Sequence, residues 1–362
     1  MAYKFTDIVI DSRTGLNPRK NFVLGNGSNY YITIKDIYAD SIHFTDKTDR
    51  VDDEAIEIIK RRSRIKVGDV LFVSIGRIGE TAIVTSKDDS WDVNESVFVF
   101  TLNDAIITPE YFCLLFRSHS VRRYLAGNSS GSTFKSIKMN QLERMTFDLP
   151  AIEEQKAITA KIYSARAIIG LRQQQLTELD DLVKARFVEM FGDINVNDRE
   201  WTVQPLGELC TIVRGGSPRP IEKFLGGDIP WIKIGDATDG ESIYLHFTKE
   251  HIIREGVSKS RMVKAGSLIF ANCGVSLGFA RIITFDGCIH DGWLAMEDID
   301  ARLDKVFLLQ ALNQMTEHFR KIAPAGTQPN LNTAIMKAYK QIIPPMKLQK
   351  EFIVFVEQVD KF

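Results

Sequence analysis

The sequence predicts an α+β protein with two homologous globular domains, separated by a long coiled-coil-forming helix and followed by a shorter helix. Three observations lead to this fold class. Motifs of the first half return in the second half at a shift of about 200 residues. A proline-free stretch with heptad spacing lies between the two copies. Each copy combines short β-rich runs with helical stretches near its end.

The repeat keeps the order of its motifs. Gly15–Arg19 (GLNPR) returns as Gly215–Arg219 (GGSPR), and Tyr31–Asp36 (YITIKD) returns as Trp231–Asp236 (WIKIGD), both 200 residues later. Further along, the shift drifts to 198 and then to 194 residues. Such drift is typical of two copies of one domain with small loop insertions, and so long a period excludes a solenoid. The predicted order is a domain over residues 1–150, a central helix over 151–193, a second domain over 194–345 and a C-terminal helix over 346–362.

Within each copy, β-forming residues predict strands that end in turns. The predicted strands are Tyr30–Ile34 and Val70–Ile75 in the first copy, and Pro230–Ile234 and Ser267–Ala271 in the second. Gly76 and Gly274 follow these strands and predict sharp turns or a close approach of the backbone. Residues 109–125 and 304–322 are predicted to be helical.

The stretch Ile152–Phe191 predicts one long helix. It lacks proline, has a single glycine, and repeats apolar residues such as Ile158, Ile162 and Ile169 in steps of three, four or seven. Heptad spacing requires a second helix to cover the apolar face. At ~1.5 Å per residue, roughly forty residues would span ~60 Å. A core helix inside one large domain is the weaker alternative, because the stretch lies at the repeat boundary and its polar face is densely charged.

Three-four spacing begins again after the second copy and predicts the shorter helix. Phe352, Phe355 and Val359 carry this pattern. The obvious arrangement is an antiparallel pair of helices, one after each domain. Because the second helix is short, three possibilities stay open: it is naturally abbreviated, it is truncated, or a partner covers the apolar face of the first helix.

Composition favours a soluble cytoplasmic protein. No apolar run reaches the ~18 residues of a membrane span, and the N-terminus lacks the apolar core of a signal peptide. The net charge of −1 means that any basic surface must be local. The four cysteines have unrelated spacings and are predicted to be reduced, buried thiols: Cys113, Cys210, Cys273 and Cys288.

The motifs of common enzymes are absent from the sequence. It contains no phosphate-binding loop, dinucleotide fingerprint, H-E-x-x-H or G-x-S-x-G motif, and no [DN]-P-P-[YF] loop of amino-group methyltransferases. The lone Glu-x-Lys, Glu154–Lys156, is predicted to lie on a solvated helix face. A binding protein without a catalytic role of its own is therefore predicted.

Positive charge recurs at matching places in the two copies. Lys60–Lys66 holds five basic residues in seven, and Lys259–Lys264 holds three in six. Lysine and arginine bind phosphates, while arginine, asparagine and glutamine can read base edges. A merely solvated surface is the alternative, which the recurrence makes weaker. The candidate DNA contacts are Arg19, Arg61, Arg62, Arg64, Arg77 and Lys135 in the first copy, and Arg219, Lys259, Arg261, Asn272, Gln328 and Asn330 in the second.

Gly215–Arg219, followed by Gly227–Asp236, resembles the opening of a target recognition domain in the specificity subunits of type I restriction-modification systems. Leu149–Ile158 resembles the end of such a domain, and Leu179–Phe187 together with Phe191–Asp193 is similar to the central region of the family. The resemblance covers essentially the whole chain. Two features depart from it: Asn17 stands where serine or threonine usually precedes the proline, and the final helix is short.

The resemblance implies a subunit that supplies the address rather than the chemistry. Each domain would read one half of a split, asymmetric target in double-stranded DNA. The helices would dock two modification (methyltransferase) subunits, joined by restriction (translocase and endonuclease) subunits. S-adenosylmethionine, ATP and Mg would be bound by these partners, and no cofactor by this chain. The candidate docking residues, on the outer face of the long helix, are Gln155, Lys156, Arg172, Gln173, Asp181 and Arg186.

Two alternatives from other classes stay open. One is a scaffold or antirestriction-like protein of the same architecture, which docks modification subunits without reading DNA. The recurring basic runs weigh against it. The other is the recognition half of a single-chain restriction enzyme, which would make this sequence a fragment, because methyltransferase motifs are absent.

Overall fold

The computed structural model describes residues 2–19, 21–131, 134–238, 243–274, 276–324 and 330–360. The chain divides into two compact units, residues 1–171 and 172–362. Both units mix helices with small sheets, and the predicted α+β class with a long helix between two similar domains is confirmed.

The first unit contains short strands and helices in an order that the second unit repeats. Its strands are β1 (Ala2–Lys4), β2 (Val9–Thr14), β3 (Asn29–Ile32), β4 (Ile37–Tyr38), β5 (Ser41–Ile42), β6 (Asp49–Val51), β7 (Val70–Val73), β8 (Thr81–Ile83), β9 (Trp91–Val93), β10 (Val97–Leu102) and β11 (Thr146–Asp148). Its helices are α1 (Phe5–Ile8), α2 (Asp53–Ser63), α3 (Pro109–Arg117), α4 (His119–Asn128), α5 (Met139–Leu142) and the first part of α6 (Ile152–Phe191).

The second unit contains the end of α6 and its own set of elements. Its strands are β12 (Thr202–Pro205), β13 (Thr211–Arg214), β14 (Leu225–Ile232), β15 (Tyr244–Leu245), β16 (Glu250–Ile252), β17 (Arg261–Val263), β18 (Leu268–Ala271), β19 (Ala280–Ile283), β20 (Gly287–Ile289), β21 (Trp293–Glu297) and β22 (Lys340–Ile343). Its further helices are α7 (Leu206–Leu209), α8 (Arg254–Val257), α9 (Lys305–Gln314), α10 (Thr316–Ile322), α11 (Thr333–Ala338) and α12 (Met346–Val359).

The sheets of the two units correspond strand by strand. The order β2-β10-β7-β8 in the first unit matches β13-β21-β18-β19 in the second, where β15 adds a further edge strand. The order β6-β3-β9 matches β16-β14-β20, with a parallel central pair in each case, and β17 extends the second of these sheets. The antiparallel ribbons β1-β11 and β12-β22 also correspond. The duplication seen in the sequence is therefore a duplication of topology.

Each unit encloses its own aromatic or aliphatic core. In the first, Phe5 packs edge-on against Phe100 at a ring-centroid distance of 5.4 Å, and Phe72 packs edge-on against Phe116 at 5.3 Å. In the second, Phe270 packs edge-on against Phe319 at 5.1 Å. These rings lie between the main sheet and the helices that follow it, which fixes the sheet ends and the loops that leave them.

The apolar face of α6 is covered only along part of its length in the described residues. In the second unit, Val183, Phe187 and Phe191 are buried against Phe307 of α9 and Phe352 of α12. Further towards the start of the helix, Ile169 and Leu176 are 57% and 55% exposed. Among the described residues, none of the helices combines the length and hydrophobicity that a bilayer span requires.

Candidate nucleic-acid interface

The G-x-x-P turns of the two units are seated against the end of a strand. A Cβ atom on Gly15 would lie 1.7 Å from the carbonyl oxygen of Val93, and one on Gly215 would lie 2.1 Å from that of His290. Only glycine permits so close a crossing of two backbones. Consequently the turns that carry Arg19 and Arg219 lie next to the residues that follow β9 and β20.

The glycine turn after the central strand holds a polar loop in both units. Gly76 has a φ of 73° and donates its N–H to the carbonyl oxygen of Lys135 at 2.9 Å. In the second unit, the N–H of Leu331 donates to the carbonyl oxygen of Asn272 at 2.8 Å. Gly274, with a φ of 75°, stands in the same place as Gly76. The described loop residues 134–136 and 330–331 are therefore fixed against the segments that follow β7 and β18.

Further contacts join these segments into one surface in each unit. In the first, Ser74 donates its N–H to Ser96 at 3.0 Å, and Arg62 donates to the hydroxyl of Thr14 at 3.3 Å. In the second, Asn272 donates its N–H to Gly292 at 2.9 Å. We call these surfaces the first loop cluster (residues 15–19, 33–37, 61–64, 74–77, 94–96, 130–131 and 134–136) and the second loop cluster (residues 215–219, 233–236, 259–261, 272–274, 290–292 and 330–331).

The basic residues predicted at the end of α2 belong to the first loop cluster. Arg61, Arg62 and Arg64 are exposed, and Arg64 caps the helix in the left-handed conformation with a φ of 47°. Asp11 lies 3.8 Å from the Arg64 guanidinium, a distance that leaves this charge only weakly paired. Arg19 and Lys135 are also exposed on this surface.

Arg77 is exposed, but its guanidinium is used within the unit. Its Nη2 donates to the carbonyl oxygens of Ile34 at 2.8 Å and Ile37 at 3.1 Å. Arg77 therefore fixes the loop after β3, and a contact with DNA would have to share or replace these hydrogen bonds.

In the second loop cluster, Asp291 organises its neighbours. Its carboxylate accepts a hydrogen bond from Ser217 at 2.7 Å, contacts His290 at 2.9 Å, and lies 3.6 Å from the guanidinium of the exposed Arg219. Burial alone would raise the pKa of Asp291, but the hydrogen bond from Ser217 and the positive charges of His290, Arg214 and Arg219 lower it. The pKa of His290 is lowered, chiefly by burial. Asp291 is not among the DNA contacts predicted from the sequence, although it closely follows a β-rich run.

The other predicted residues of the second unit differ in accessibility. Lys259 and Arg261 are exposed, and the Lys259 ammonium lies 4.6 Å from the centre of the Phe224 ring. Asn330 is half-buried beside Cys273. Gln328 lies outside the described residues.

The prediction that Asn272 contacts DNA is corrected by its burial. Asn272 is 0% exposed, and its side-chain amide donates to Asn330 at 3.2 Å and to the carbonyl oxygen of Leu331 at 3.1 Å. Its polar group already holds the loop, so no exposed edge is left for a base.

Of the predicted docking residues, five are on the surface of α6 and one is not. Each charged member has a neighbour on the same helix, at 2.7–3.0 Å: Lys156 with Glu153, Arg172 with Gln175, Asp181 with Lys184, and Arg186 with Glu189. Gln173 is exposed as well. Exposed pairs of this kind stabilise a fold by only ~0–1 kcal/mol, so a partner can displace them.

Gln155 is the exception, and its predicted place on the outer face is wrong. It is 0% exposed. Its Oε1 accepts from the N–H of Thr108 at 3.1 Å, and its Nε2 donates to the carbonyl oxygens of Ile106 at 2.7 Å and Pro150 at 2.9 Å. These bonds join α6 to the start of α3 inside the first unit.

The described residues contain no group of three or more His, Cys, Asp or Glu side chains that could hold a metal ion. Burial raises the pKa of the Cys113 and Cys210 thiols to about 12, so neither thiol ionises near neutral pH.

Comparison with known proteins gives one family for both units. Residues 3–180 and 198–362 match the family described as the type I restriction modification DNA specificity domain. The type I restriction enzyme MjaIX specificity subunit of Methanocaldococcus jannaschii is 23% identical over 312 residues, which are 80% of this chain and 70% of the relative.

Two solved structures share the fold. One, from work on complex assembly and conformational transition of the type I R-M system, gives a TM-score of 0.58 at 19% identity, with 100% of this chain and 90% of the other covered. The other, the S subunit of a type-I restriction-modification system from M. genitalium, gives a TM-score of 0.56 at 14% identity, with the same coverage.

Proposed function

The chain belongs to the type I restriction modification DNA specificity family, and we propose that it is the non-catalytic DNA-reading subunit of such a complex in the cytoplasm. Each unit binds one half of a split, asymmetric target in double-stranded DNA through its loop cluster. The exposed polar face of α6 docks two methyltransferase subunits. Restriction subunits join the same assembly. The partners bind S-adenosylmethionine, ATP and Mg.

One observation carries the proposal: equivalent segments converge in both units and present exposed cations. Arg61, Arg62 and Arg64 in the first unit, and Lys259 and Arg261 in the second, offer charge to phosphates beside polar loops that can meet base edges. A protein that only docks modification subunits would not need exposed cations beside polar loops at equivalent places in both units. The repetition therefore supports DNA reading by both units.

The difference between the two clusters supports an asymmetric target. After β9 the first unit carries Asn94–Ser96, and after β20 the second carries His290–Gly292, with Asp291 at its centre. Hydrogen-bonding groups of different kinds at equivalent places select different bases. Two different half-sites make a target that is not palindromic, in contrast to the sites of symmetric dimers.

The proposal is tested by mapping adenine methylation by long-read sequencing in cells that carry this chain with and without its modification subunit. A split, asymmetric methylated motif should be present only when both proteins are expressed. The control is the pair in which R61Q, R62Q and R64Q are combined with R219Q, K259Q and R261Q, which should lose the motif while the two proteins still co-purify.

Two results would contradict DNA reading. If the proteins co-purify and no motif is methylated, the chain is a scaffold or antirestriction-like protein of the same architecture. A methylated motif that persists in the six-fold variant would show that the loop clusters do not carry recognition.

A further inference from the structure

A buried carboxylate in the first unit bonds to both the globular part and the long helix. Asp40 stands between β4 and β5, and its side chain is 6% exposed. Thr81 donates to it at 3.0 Å, and Arg117 of α3 pairs with it at 2.8 Å. From α6, the hydroxyl of Tyr163 donates at 3.0 Å and the guanidinium of Arg166 lies at 3.3 Å.

The backbone around this carboxylate is also fixed. Asp40 adopts a φ of 60°, and its carbonyl oxygen accepts from the N–H of Ile83 at 3.2 Å. Two residues earlier, β4 ends at Tyr38, and its first residue, Ile37, accepts a hydrogen bond from Arg77. A short, hydrogen-bonded path therefore connects Asp40 with the first loop cluster.

The face of α6 that meets the first unit is polar. Gln155, Thr159 and Tyr163 follow one another at intervals of four residues, which places them on one side of the helix, and Arg166 is three residues further on. Gln155 and Thr159 are buried, and the Thr159 hydroxyl donates to the Gln155 carbonyl oxygen at 2.7 Å. The contact with the rest of the first unit is held by directed hydrogen bonds between Gln155 and the backbone of Thr108 and Ile106, and from Tyr163 to Asp40.

The second unit meets the same helix through an apolar contact. Phe187 and Phe191 of α6 lie against Phe307 and Phe352, with ring-centroid distances between 4.9 and 5.7 Å. Apolar packing is not directional, whereas charge-assisted hydrogen bonds fix an orientation. In the second unit, hydrogen bonds also reach α6, from the Trp201 indole to the carbonyl oxygen of Phe191 at 2.8 Å and from Arg199 to that of Glu189 at 3.3 Å. In the first unit, the orientation of the globular part on the start of α6 depends on the Asp40 contacts with Tyr163 and Arg166.

We propose that Asp40 is a positioning residue: through Tyr163 and Arg166 it fixes the rotation of the first loop cluster about α6, and thereby the spacer length that the complex accepts. The inference rests on the proposed function. One base pair added to a spacer moves a half-site by ~3.4 Å along the DNA and rotates it by about 35°. If the Asp40 contacts hold the loop cluster in one orientation, the complex methylates a target with a changed spacer poorly. If these contacts are removed, the loop cluster can reorient and the complex accepts the changed spacer.

The test uses the complex of this chain with its methyltransferase subunits. Once the target is mapped, methylation rates are measured on duplexes whose spacer is shortened by one base pair, native, or lengthened by one. The informative variants are Y163F and R166M, which remove the helix-side partners and leave Asp40 paired with Arg117. D40N is measured as well, but it leaves the Arg117 charge buried without its partner and can weaken the fold itself.

We expect the wild-type complex to prefer one spacer, and Y163F and R166M to lower that preference by about tenfold, the loss that follows from removing a hydrogen bond to a charged group. The matched controls are Y124F and R122M. Tyr124 donates to the carbonyl oxygen of Gln141 at 2.8 Å and Arg122 pairs with Glu80 at 2.9 Å, both away from α6. The controls should keep the spacer preference.

Two outcomes would contradict the inference, and they distinguish its failure from the failure of the proposed function. If Y163F and R166M lower all three rates equally, Asp40 only stabilises the unit and the inference is overturned. If the wild-type complex methylates no split target at any spacer, the proposed function fails, and the inference falls with it.

Discussion

At the scale of single residues, a buried glutamine marks the duplication. Gln155 accepts a hydrogen bond from the N–H of Thr108 at 3.1 Å, and Gln349 accepts one from Asp304 at 2.8 Å. Each glutamine also donates to the carbonyl oxygen of the proline five residues before it. Thr108 and Asp304 are the N-caps of α3 and α9. The repeated glutamine is therefore a joint between two helices in each unit.

Replacing Gln155 by alanine should destabilise the first unit by ~3 kcal/mol. The change leaves the half-buried N–H of Thr108 and carbonyl oxygen of Ile106 without the Gln155 side chain, and each unsatisfied group costs ~1–3 kcal/mol. Hydrogen exchange of the first unit measures the loss. Q174A is the control on the same helix, because Gln174 is exposed and donates a hydrogen bond to Glu178 at 2.8 Å. Equal protection in both variants would contradict a structural role for Gln155.

Asp92 makes a pH-dependent contribution to stability. It is 0% exposed within β9, and burial raises the pKa of its carboxyl. In the unfolded chain the same group ionises near pH ~4. The folded state therefore retains the proton to higher pH, and stability falls as the pH rises from the unfolded to the folded pKa.

D92N should accordingly be more stable than the wild type at neutral pH, and its stability should decrease less between pH 4 and pH 7. Urea unfolding of the full chain across this range measures both effects. D148N is the control, because Asp148 is exposed at the end of β11. An equal change in stability between pH 4 and pH 7 in the wild type and in D92N would refute the assignment.

At the scale of elements, the sequence predicted the long helix α6 at its observed bounds but missed a break between two short helices. The strand predicted at Val70–Ile75 is β7, and the predicted helix over 109–125 is two helices, α3 and α4. Ser118 separates them, because its hydroxyl accepts the N–H of Val121 and starts a new helix. Apolar periodicity continues through such a junction, so the spacing alone does not show it.

Long-range hydrogen bonds explain the two site residues that the sequence misplaced. Gln155 and Asn272 are polar, and polarity suggests a surface position. Gln155 bonds with backbone groups that are 47 and 49 residues away in the chain, besides the nearer Pro150 carbonyl. Asn272 bonds with a backbone carbonyl that is 59 residues away, besides the Asn330 side chain. Such pairing depends on the tertiary fold and leaves no local pattern. The exposed cations were easier to predict, because charge runs rarely lie inside.

The end of α2 should contribute salt-sensitive DNA affinity. If Arg61, Arg62 and Arg64 each contact a phosphate, replacing all three by glutamine should reduce the slope of log K against log salt by about 2.7, since each phosphate contributes ~0.9. Binding of the assembled methylation complex to its target, titrated at several salt concentrations, measures the slope.

A control of equal charge loss separates local contacts from net charge. Lys4, Arg123 and Arg144 are exposed in the first unit outside the loop cluster and off α6, and their triple glutamine variant should keep the wild-type slope. An equal reduction in both variants would mean that the arginines at the end of α2 act only through overall charge.

At the scale of the whole molecule, the two units share the elements that hold the loop clusters and differ in the polar residues that the loop clusters present. The sheet orders, the glycine turns after β7 and β18, and the buried glutamines are common to both units. The polar residues that these features hold at the loop clusters differ, as Asn94–Ser96 and His290–Gly292 show. A duplicated framework of this kind lets each unit change its specificity without altering how its loops are held.

The last prediction assigns each half-site to a unit. The combined variant R219Q, K259Q and R261Q should lose affinity for the half-site read by the second unit and leave the other half-site contacts unchanged. This is tested by a double-mutant cycle in which the variant is combined with DNA whose sequence is scrambled in one half-site. For the half-site that the second unit reads, the effects of the two changes on the binding constant should differ from additivity by about tenfold or more. For the other half-site they should be additive, because only groups in contact couple strongly. The variant R61Q, R62Q and R64Q should show the opposite pattern. Equal coupling of both variants with both half-sites would mean that neither unit reads a separate half of the target.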